Sequence, residues 1–220
     1  LSLIVRDRKP PALHASFPRT AMFNEPAAGR LEVITGGMYS GKTEELRRRL
    51  RRLMFAGRSV DLFRPSTPEM SSEPPAMTVK TERGHQVESQ PLRSAGQLLN
   101  EVGENGEVVA LDEGHFFGAD LIDAANHLAA RGYQVIIAAL DTDFRGQPFG
   151  TTAGLMATAE HVQQLHAICS ECGNEATRTQ RLIDGRPADR KSPVIKTMDE
   201  ATYEPRCRSC HMVPEPSRTS

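Results

Sequence analysis

A glycine-rich segment near the start of the chain has the residue types and spacing that bind the phosphates of a nucleotide. Residues 36–43 fit the pattern G-x-x-x-x-G-K-[S/T]. Glycines let the backbone curl around an anion, so that its N–H groups point at the phosphates. We expect Lys42 to hold the β- and γ-phosphates and the Thr43 hydroxyl to bind Mg²⁺. The residues that this loop predicts for nucleotide binding are Gly36, Gly37, Met38, Tyr39, Ser40, Gly41, Lys42 and Thr43.

Two adjacent carboxylates, Asp112 and Glu113, come directly after the apolar run Val108–Leu111. If that run is a strand of a parallel sheet, both residues lie at the carboxyl edge, where ligands of open α/β folds bind. We therefore expect Asp112 to be a direct or water-mediated partner of Mg²⁺ in the nucleotide site. Glu113 is placed to take a proton from an attacking hydroxyl group or water. A helix cap or a solvated turn is the alternative for either residue.

The four cysteines of the chain form two pairs with the spacing of a zinc site. Each pair reads C-x-x-C, Cys169 with Cys172 and Cys207 with Cys210, so four thiolates can surround one Zn²⁺ ion. His211 could replace one cysteine, although a four-cysteine site is simpler. Four unrelated thiols or a redox dithiol are the alternatives, but neither pair opens a helix after a strand, as redox motifs do.

The segment between the two cysteine pairs is longer than a zinc ribbon requires. It has 34 residues between Cys172 and Cys207. We expect it to form a lid that the metal fixes at both ends. Its polar and aromatic side chains offer contacts to a small ligand, among them Thr179, Gln180, Arg181 and Tyr203.

Short β-rich runs alternate with longer helical runs from Arg30 onward, which predicts an α/β fold. Leu31–Thr35, before the phosphate loop, reads as a buried strand, and Thr43–Ala56, after it, reads as an amphipathic helix. This context favours a phosphate site over a chance glycine-rich turn. The other predicted strands are Ser59–Phe63, Val108–Asp112, Tyr133–Leu140, short pieces within Thr78–Ser89 and a run into Cys169. The other predicted helices are Ala95–Val102, Ala119–Arg131 and Thr151–Ala159.

Composition and charge exclude several classes of protein. The 220 residues include 27 Lys and Arg against 28 Asp and Glu, a formal net charge of −1. A protein held on nucleic acid by its charge shows a clear cationic excess, so we expect no nucleic-acid partner. No run approaches the roughly 18 apolar residues that span a bilayer, and residues 1–29 lack the apolar run of a secretory signal. We therefore expect no membrane partner and a cytoplasmic location.

A cluster of arginines follows the phosphate loop. On the predicted helix these side chains spread around the surface that the leucines leave free, which is typical of a solvated face or a subunit contact. The cluster consists of Arg47, Arg48, Arg49, Arg51 and Arg52.

Taken together, these motifs resemble those of the type II, zinc-containing thymidine kinases. The matching segments occur in family order, cover most of Gly29–Met212, and read GRLEVITGGMYSGKTEELRRR, VVALDEGHFF, AALDTDFRGQPFG, CSECGNEATRTQR and TYEPRCRSCH. The resemblance implies a P-loop NTPase-like, mostly parallel sheet flanked by helices, with a small C-terminal zinc-binding lid, the lasso. It also implies transfer of the ATP γ-phosphate to the 5′-hydroxyl of thymidine or deoxyuridine.

The resemblance implies roles for individual residues as well. Glu113 would be the general base on the 5′-hydroxyl, and His115 occupies the position of a glutamine in the nucleotide site of the family. Zn²⁺ would be structural, and Mg²⁺ would accompany ATP. Family members commonly form homotetramers and are commonly restrained by dTTP, so we expect both properties here. The implied nucleoside-binding residues are Met38, Phe116, Phe144, Phe149, Thr179 and Tyr203.

The chain departs from the family pattern at several positions. Pro68 and Met70 align with a usual Asp-x-Arg pair, and Arg83 is a cation that could restore the missing charge. Residues 195–199 replace a glycine-containing part of the lasso. One alternative is therefore a divergent or impaired nucleoside kinase. Another, from a different class, is a nucleic-acid-stimulated P-loop ATPase whose zinc module and arginines grip DNA or RNA.

The expected domain organisation follows from these assignments. The first residues contain four prolines and show no helical or strand period, which is typical of a disordered leader. The cysteine-bearing module begins beyond the last run of the α/β pattern. The expected parts are a leader at 1–29, a P-loop kinase domain at 30–165, a zinc-binding lasso module at 166–213 and a disordered tail at 214–220.

Overall fold

The structure is a computed structural model, and it describes residues 29–66, 76–103, 106–196 and 200–215. The strands within these residues are β1 (Arg30–Thr35), β2 (Val60–Pro65), β3 (Thr78–Lys80), β4 (Gln86–Glu88), β5 (Gln90–Leu92), β6 (Val108–Leu111), β7 (Gln134–Ala139), β8 (His161–Gln164), β9 (Ala167–Ile168), β10 (Glu175–Ala176), β11 (Arg178–Ile183), β12 (Arg186–Pro187) and β13 (Thr202–Arg206). The helices are α1 (Lys42–Phe55), α2 (Ala95–Glu101), α3 (Asp120–Ala130) and α4 (Thr152–Thr158), with a 3₁₀ helix at Gly114–Phe116.

Six strands form one parallel sheet in the order β5-β2-β6-β7-β1-β8. β7 lies between β1, which precedes the phosphate loop, and β6, which precedes Asp112. Because the strands are parallel, their carboxyl ends share one edge of the sheet. The segments that follow β1, β6 and β7 therefore meet at that edge.

Helices cover both faces of the sheet, which explains why its central strands are largely apolar. β6 and β7 are buried at every position. On one face α2, α3 and α4 pack through Leu98, Leu121 and Leu155. On the other face α1 packs through Leu46 and Leu50, next to the β3–β4 hairpin. Full burial of one such side chain stabilises the fold by about 1.5–3 kcal/mol.

Strand pairing changes from parallel to antiparallel after β8. β9 pairs with β10, and the first cysteine pair lies between them; β11 pairs with β12 on one side and β13 on the other. β13 ends at Arg206, directly before Cys207. The Ser170 N–H donates to the Pro205 carbonyl at 3.0 Å, which ties the two cysteine-bearing turns together.

The predicted fold class is confirmed: a parallel sheet flanked by helices carries a phosphate loop and a C-terminal four-cysteine cluster. Two details differ. The run predicted as one strand into Cys169 is divided into β8 in the large sheet and β9 in a small one, with Leu165 and His166 between them. β5 was not predicted, because Pro91 lies within it; proline is tolerated there since β5 is an edge strand.

Several expectations concern residues outside the described ranges. They include residues 1–28 of the expected leader, Pro68 with Met70, part of the altered lasso at 197–199 and most of the expected tail. The bounds of the kinase domain and of the lasso module also stay predictions. Among the helices that the structure describes, none has the length and apolar character needed to cross a membrane.

Candidate active site

The residues predicted to bind a nucleotide meet at the carboxyl edge of the parallel sheet. The phosphate loop follows β1, Asp112 and Glu113 follow β6, and Asp141 lies shortly after β7. Helix α1 begins at Lys42, so its N-terminal end lies at the same edge. Loop N–H groups and a helix N-terminus together attract anions. This edge therefore combines an anion-binding loop with three carboxylates.

The first glycine of the loop is required both by its backbone and by its neighbours. Gly36 has a φ of 143°, which residues with a side chain rarely adopt. A Cβ at this position would lie 2.1 Å from the carbonyl oxygen of Leu165, directly after β8. The start of the loop is thus packed against the segment that leads to the cysteines.

The Lys42 ammonium group lies within the loop. Its Nζ donates to the Gly37 carbonyl at 2.8 Å. Burial lowers the pKa of Lys42, while the charges of Glu113, Asp112 and Asp141 oppose that shift. A cation held by the loop backbone and facing carboxylates is in position to meet nucleotide phosphates.

Thr43 and Asp112 form the pair predicted to bind Mg²⁺. The Thr43 hydroxyl donates to Asp112 Oδ2 at 3.0 Å, from the start of α1 to the end of β6. Burial raises the pKa of Asp112, although this hydrogen bond and the charge of Lys42 oppose the shift. A hydroxyl and a carboxylate are oxygen ligands that Mg²⁺ takes in nucleotide sites, so the two residues fit the ion.

Glu113 has an unusual backbone conformation beside this pair. Its φ of 54° lies in the left-handed region, which costs about 1–2 kcal/mol for a residue with a side chain. Burial raises the pKa of Glu113 to about 7, and the charge of Asp112 adds to the shift. The side chain keeps 37% of its surface exposed. An accessible carboxyl group with a pKa of about 7 has the properties of a general base.

His115 lies two residues beyond Glu113, in the 3₁₀ helix. Its Nε2 is 3.6 Å from Glu113 Oε2. Its ring centroid is 4.3 Å from that of Phe116 and 4.7 Å from that of Phe149. We call these three rings the aromatic cluster. Two residues predicted for the nucleoside pocket are thus brought next to the candidate base.

A second group of predicted nucleoside residues surrounds Arg181. The Arg181 guanidinium lies 4.0 Å from the ring centroid of Phe144 and 5.3 Å from that of Tyr203. It is 2% exposed and donates to the carbonyls of Pro193 and Val194. The buried Arg181 side chain therefore holds the lasso backbone through its hydrogen bonds to these two carbonyls. Its burial could not be predicted, because an arginine that directly follows the polar residues Thr179 and Gln180 reads as exposed.

Thr179 contacts the phosphate loop. Its buried Oγ1 accepts a hydrogen bond from the Met38 N–H at 3.0 Å. On the neighbouring strand β13, the Tyr203 hydroxyl donates to the Lys196 carbonyl at 2.8 Å. The lasso module therefore touches the loop directly. The contacts of Thr179 and Tyr203 to a base and sugar stay predictions.

Two charged residues of the site were missed by the sequence analysis. Asp141 follows β7 and accepts a hydrogen bond from Gln164 Nε2 at 3.0 Å. Arg47 lies one turn after Thr43 on α1, and its charge acts on the pKa of Asp112 in the lowering direction. An apolar strand followed by an acidic residue was the rule used for Asp112, and the same rule applied to β7 would have located Asp141.

The four cysteines converge as predicted. All four sulfur atoms lie within 4.8 Å of one another, and those of Cys172 and Cys207 are 3.6 Å apart. Sulfur atoms bound tetrahedrally to one Zn²⁺ at about 2.3 Å would be about 3.8 Å apart. Hydrogen bonding with Cys207, and then with Cys172, raises the pKa of Cys210 to about 12, so four thiolates require a cation among them. The cluster therefore fits a structural Zn²⁺ ion.

Two other residues considered from the sequence, His211 for the metal and Arg83 for the phosphates, have partners away from those sites. His211 Nε2 is 2.8 Å from the Phe144 carbonyl oxygen, so the described metal cluster consists of cysteines alone. Arg83 stacks over the Phe55 ring at 4.3 Å, at the C-terminal end of α1. This is about 20 Å of helix away from Lys42. The expectation that Arg83 restores a charge at the phosphates is therefore wrong.

The arginine cluster is only partly a solvated face. Arg49 is 19% exposed and pairs with Glu32 of β1 at 2.6 Å, so it connects α1 to the sheet. Arg48 is more exposed and pairs with Glu45 at 2.6 Å. That contact lowers the pKa of Glu45 to about 2. Two of the five arginines are thus neutralised within the chain, which weakens the case for a nucleic-acid surface.

Comparison with models of protein families gives a match over most of the chain. A family model described as thymidine kinase matches residues 29–211, which include the phosphate loop, Asp112, Glu113 and all four cysteines. The X-ray structure of the Legionella pneumophila ATPase DotB is similar to this chain at 16% identity, with a TM-score of 0.39. That similarity covers 67% of this chain and 43% of the DotB chain, so this chain spans less than half of that length. From the family match, and with a cysteine cluster that fits the zinc-containing type, the chain belongs to the thymidine kinase family.

Proposed function

We propose that this protein is a nucleoside kinase that transfers the γ-phosphate of ATP to the 5′-hydroxyl of thymidine or deoxyuridine. The observation that carries the proposal is the position of Glu113. Its N–H donates to Asp112 of the Thr43–Asp112 pair, and its carboxylate lies 3.6 Å from His115 of the aromatic cluster. A base between a phosphate site and a set of rings is arranged to activate an organic hydroxyl. Membership of the thymidine kinase family supports this activity.

The phosphate end of the site would align and neutralise the nucleotide. Lys42 and the loop N–H groups bind the phosphates, and Thr43 with Asp112 holds Mg²⁺. The bound ion offsets negative charge on the phosphate oxygens. Phosphoryl transfer depends mainly on alignment and charge stabilisation, so these contacts supply much of the catalysis.

The acceptor end would hold the nucleoside against the base. Glu113 takes the proton of the 5′-hydroxyl while the hydroxyl oxygen bonds to the γ-phosphorus and the bond to the β-phosphate oxygen breaks. Phe116, Phe149 and Phe144 supply apolar walls for the base and sugar. Met38 would complete this pocket together with Thr179, whose hydroxyl accepts a hydrogen bond from the Met38 N–H, and Tyr203.

The zinc cluster would keep the lasso in place over the nucleoside. The cysteines fix both ends of the lasso, and a closed lasso excludes water, which would otherwise accept the phosphate. On the basis of family membership we also propose a cytoplasmic homotetramer, restrained by dTTP, that acts without nucleic acid or a membrane. Light scattering tests the homotetramer, and an inhibition assay with dTTP tests the restraint by that nucleotide.

An ADP-release assay on zinc-loaded protein tests the proposed activity. With Mg-ATP we expect ADP to form only when thymidine or deoxyuridine is present, and mass spectrometry to detect the nucleoside 5′-monophosphate. Lys42→Ala, prepared in the same way, should abolish both products. ADP release that depends on DNA or RNA instead of a nucleoside would contradict the kinase and favour the ATPase. Turnover of other nucleosides alone would identify a kinase of altered substrate range.

A further inference from the structure

The ring of His115 carries a polar group that the site as described so far does not use. His115 is 3% exposed, and the Leu140 N–H donates to its Nδ1 at 3.2 Å. A ring nitrogen that accepts a hydrogen bond carries no proton, so the proton of the neutral ring is on Nε2. Burial lowers the pKa of His115 to about 3, and Lys42 acts in the same direction, so the ring remains neutral.

The Nε2–H group faces Glu113. Within the part of the chain that the structure describes, Nε2 is buried without a hydrogen-bond partner. Glu113 Oε2 lies 3.6 Å away, just beyond hydrogen-bonding distance. A buried N–H without an acceptor is unfavourable, and hydrogen bonds of catalytic groups often shorten when the substrate binds. A small rotation of the Glu113 side chain would complete this bond.

The surroundings of the ring prevent it from turning away. Phe116 and Phe149 pack against it at 4.3 and 4.7 Å between centroids. A half-turn of the ring would replace Nδ1 by a carbon and lose the hydrogen bond from the Leu140 N–H. The direction of Nε2–H is therefore set by a backbone donor on one side of the ring and by aromatic packing on the other.

We infer that His115 is a positioning residue for Glu113: its Nε2–H donates to Oε2 and leaves Oε1 free to accept the proton of the nucleoside hydroxyl. The inference rests on the proposed function, in which Glu113 is the base, and adds to it a second residue that orients the base. His115 would then act where the nucleoside binds, whereas the family resemblance assigned it to the nucleotide site.

Two substitutions separate this role from a purely structural one. His115→Gln keeps an N–H donor near the Nε2 position but no acceptor at Nδ1. His115→Asn keeps an acceptor near Nδ1 but loses the donor. We expect His115→Asn to lower kcat about 10- to 100-fold with little change in KM for ATP, and His115→Gln to retain kcat within about threefold of wild type. If His115 served only to support the Leu140 backbone, the order of the two variants would be reversed, and the inference would be overturned.

A second measurement needs neither His115 variant to fold nor any turnover. Long-range ¹H–¹⁵N NMR should find the His115 proton on Nε2, with a resonance that shifts when Glu113→Gln is introduced. A proton on Nδ1, or an unchanged resonance in Glu113→Gln, would overturn the inference. Absence of thymidine phosphorylation by wild-type protein would refute the proposed function instead, and the NMR result would still report on the contact between the two residues.

Discussion

Glu113 combines a left-handed backbone, a raised pKa and an open face, and each property has its own structural cause. The Glu113 N–H donates to Asp112 Oδ1 at 3.0 Å, which ties the left-handed turn to the metal-binding pair. Burial raises its pKa, and part of the carboxylate surface remains accessible. Because the base and a metal ligand share one hydrogen bond, a change at Asp112 is expected to move the base as well.

Replacing Glu113 by Gln tests its role as the base. The amide has the same shape but cannot accept the proton as the carboxylate does, so we expect kcat to fall by roughly two orders of magnitude or more. ATP binding, measured by calorimetry on the same sample, should change little. Asp120→Asn, an equally mild change at the start of α3, is the control and should have full activity. A Glu113→Gln variant as active as wild type would place the base elsewhere.

The raised pKa of Glu113 makes activity depend on pH near neutrality. A carboxyl group with a pKa of about 7 is largely protonated at pH 6, and a protonated base is inactive. We therefore expect kcat/KM for thymidine to rise between pH 6 and 8 and then to level off. The residual activity of Glu113→Gln should lack this rise. A wild-type profile that is flat over this interval would contradict the assignment.

Which residues form the site could be predicted from the sequence, but their burial and pKa values could not. The phosphate loop, Asp112, Glu113 and the cysteines were predicted because each depends on local spacing after a strand or within a turn. The raised pKa of Glu113 and the burial of Arg181 were not, because they depend on residues brought together only by the fold. Asp141 could have been predicted, since it follows an apolar strand just as Asp112 does.

At the scale of elements, regular hydrophobic patterns predicted the large sheet and its helices. The edge strand β5 and the small strands β10–β13 were not predicted. β6 is apolar throughout, and β7 is apolar after Gln134, because both faces of the sheet are covered. β11 and β13 carry mixed polar sequences, and three successive polar side chains of β11 are buried, those of Thr179, Gln180 and Arg181. Their pairing depends on the cysteine cluster that brings β13 back to β9, and no local pattern contains that information.

Gly36 lies where β1, the phosphate loop and the end of β8 meet, and we expect this position to tolerate no side chain. Gly36→Ala combines a strained φ with a Cβ 2.1 Å from the Leu165 carbonyl oxygen. We expect it to lower the free energy of unfolding by about 3 kcal/mol or more in urea denaturation. Gly57→Ala is the matched control: its φ is +82°, but no atom lies within 4 Å of the added Cβ. It should cost only about 1–2 kcal/mol. Equal losses in the two variants would show that the contact with Leu165 is unimportant.

At the scale of the whole molecule, the chain consists of a layered α/β part and a cysteine-bearing part that meet at the phosphate loop. Leu165 touches Gly36, and Thr179 binds Met38, so the loop is contacted from both sides of the first cysteine pair. The core of the α/β part is formed by the helices, the large sheet and the β3–β4 hairpin. Stability of the two parts is therefore expected to respond differently to loss of the metal.

Removal of zinc should loosen the cysteine-bearing part before the sheet. Elemental analysis is expected to find one Zn²⁺ per chain, bound by the four thiolates. After chelation, hydrogen exchange should accelerate in β9, β11 and β13, while β1, β6 and β7 remain protected. Cys172→Ser should behave like the chelated protein, whereas Ser209→Ala, within the second turn, keeps all ligands and should retain zinc. Protein without zinc but with unchanged exchange in β11 would contradict a structural role for the ion.

The hydrogen bond from the Met38 N–H to Thr179 Oγ1 is expected to link the binding of the two proposed substrates. The Met38 N–H already donates to Thr179, so this bond must break before the N–H can donate to a phosphate. A nucleoside that displaces β11 would break the bond and thereby change the affinity of the loop for ATP. Linkage makes this effect reciprocal: thymidine and ATP should alter each other's dissociation constants by the same factor. Calorimetric titrations should show that factor approaching one in Thr179→Val. If the factor is as large in Thr179→Val as in wild type, the two sites communicate by another route.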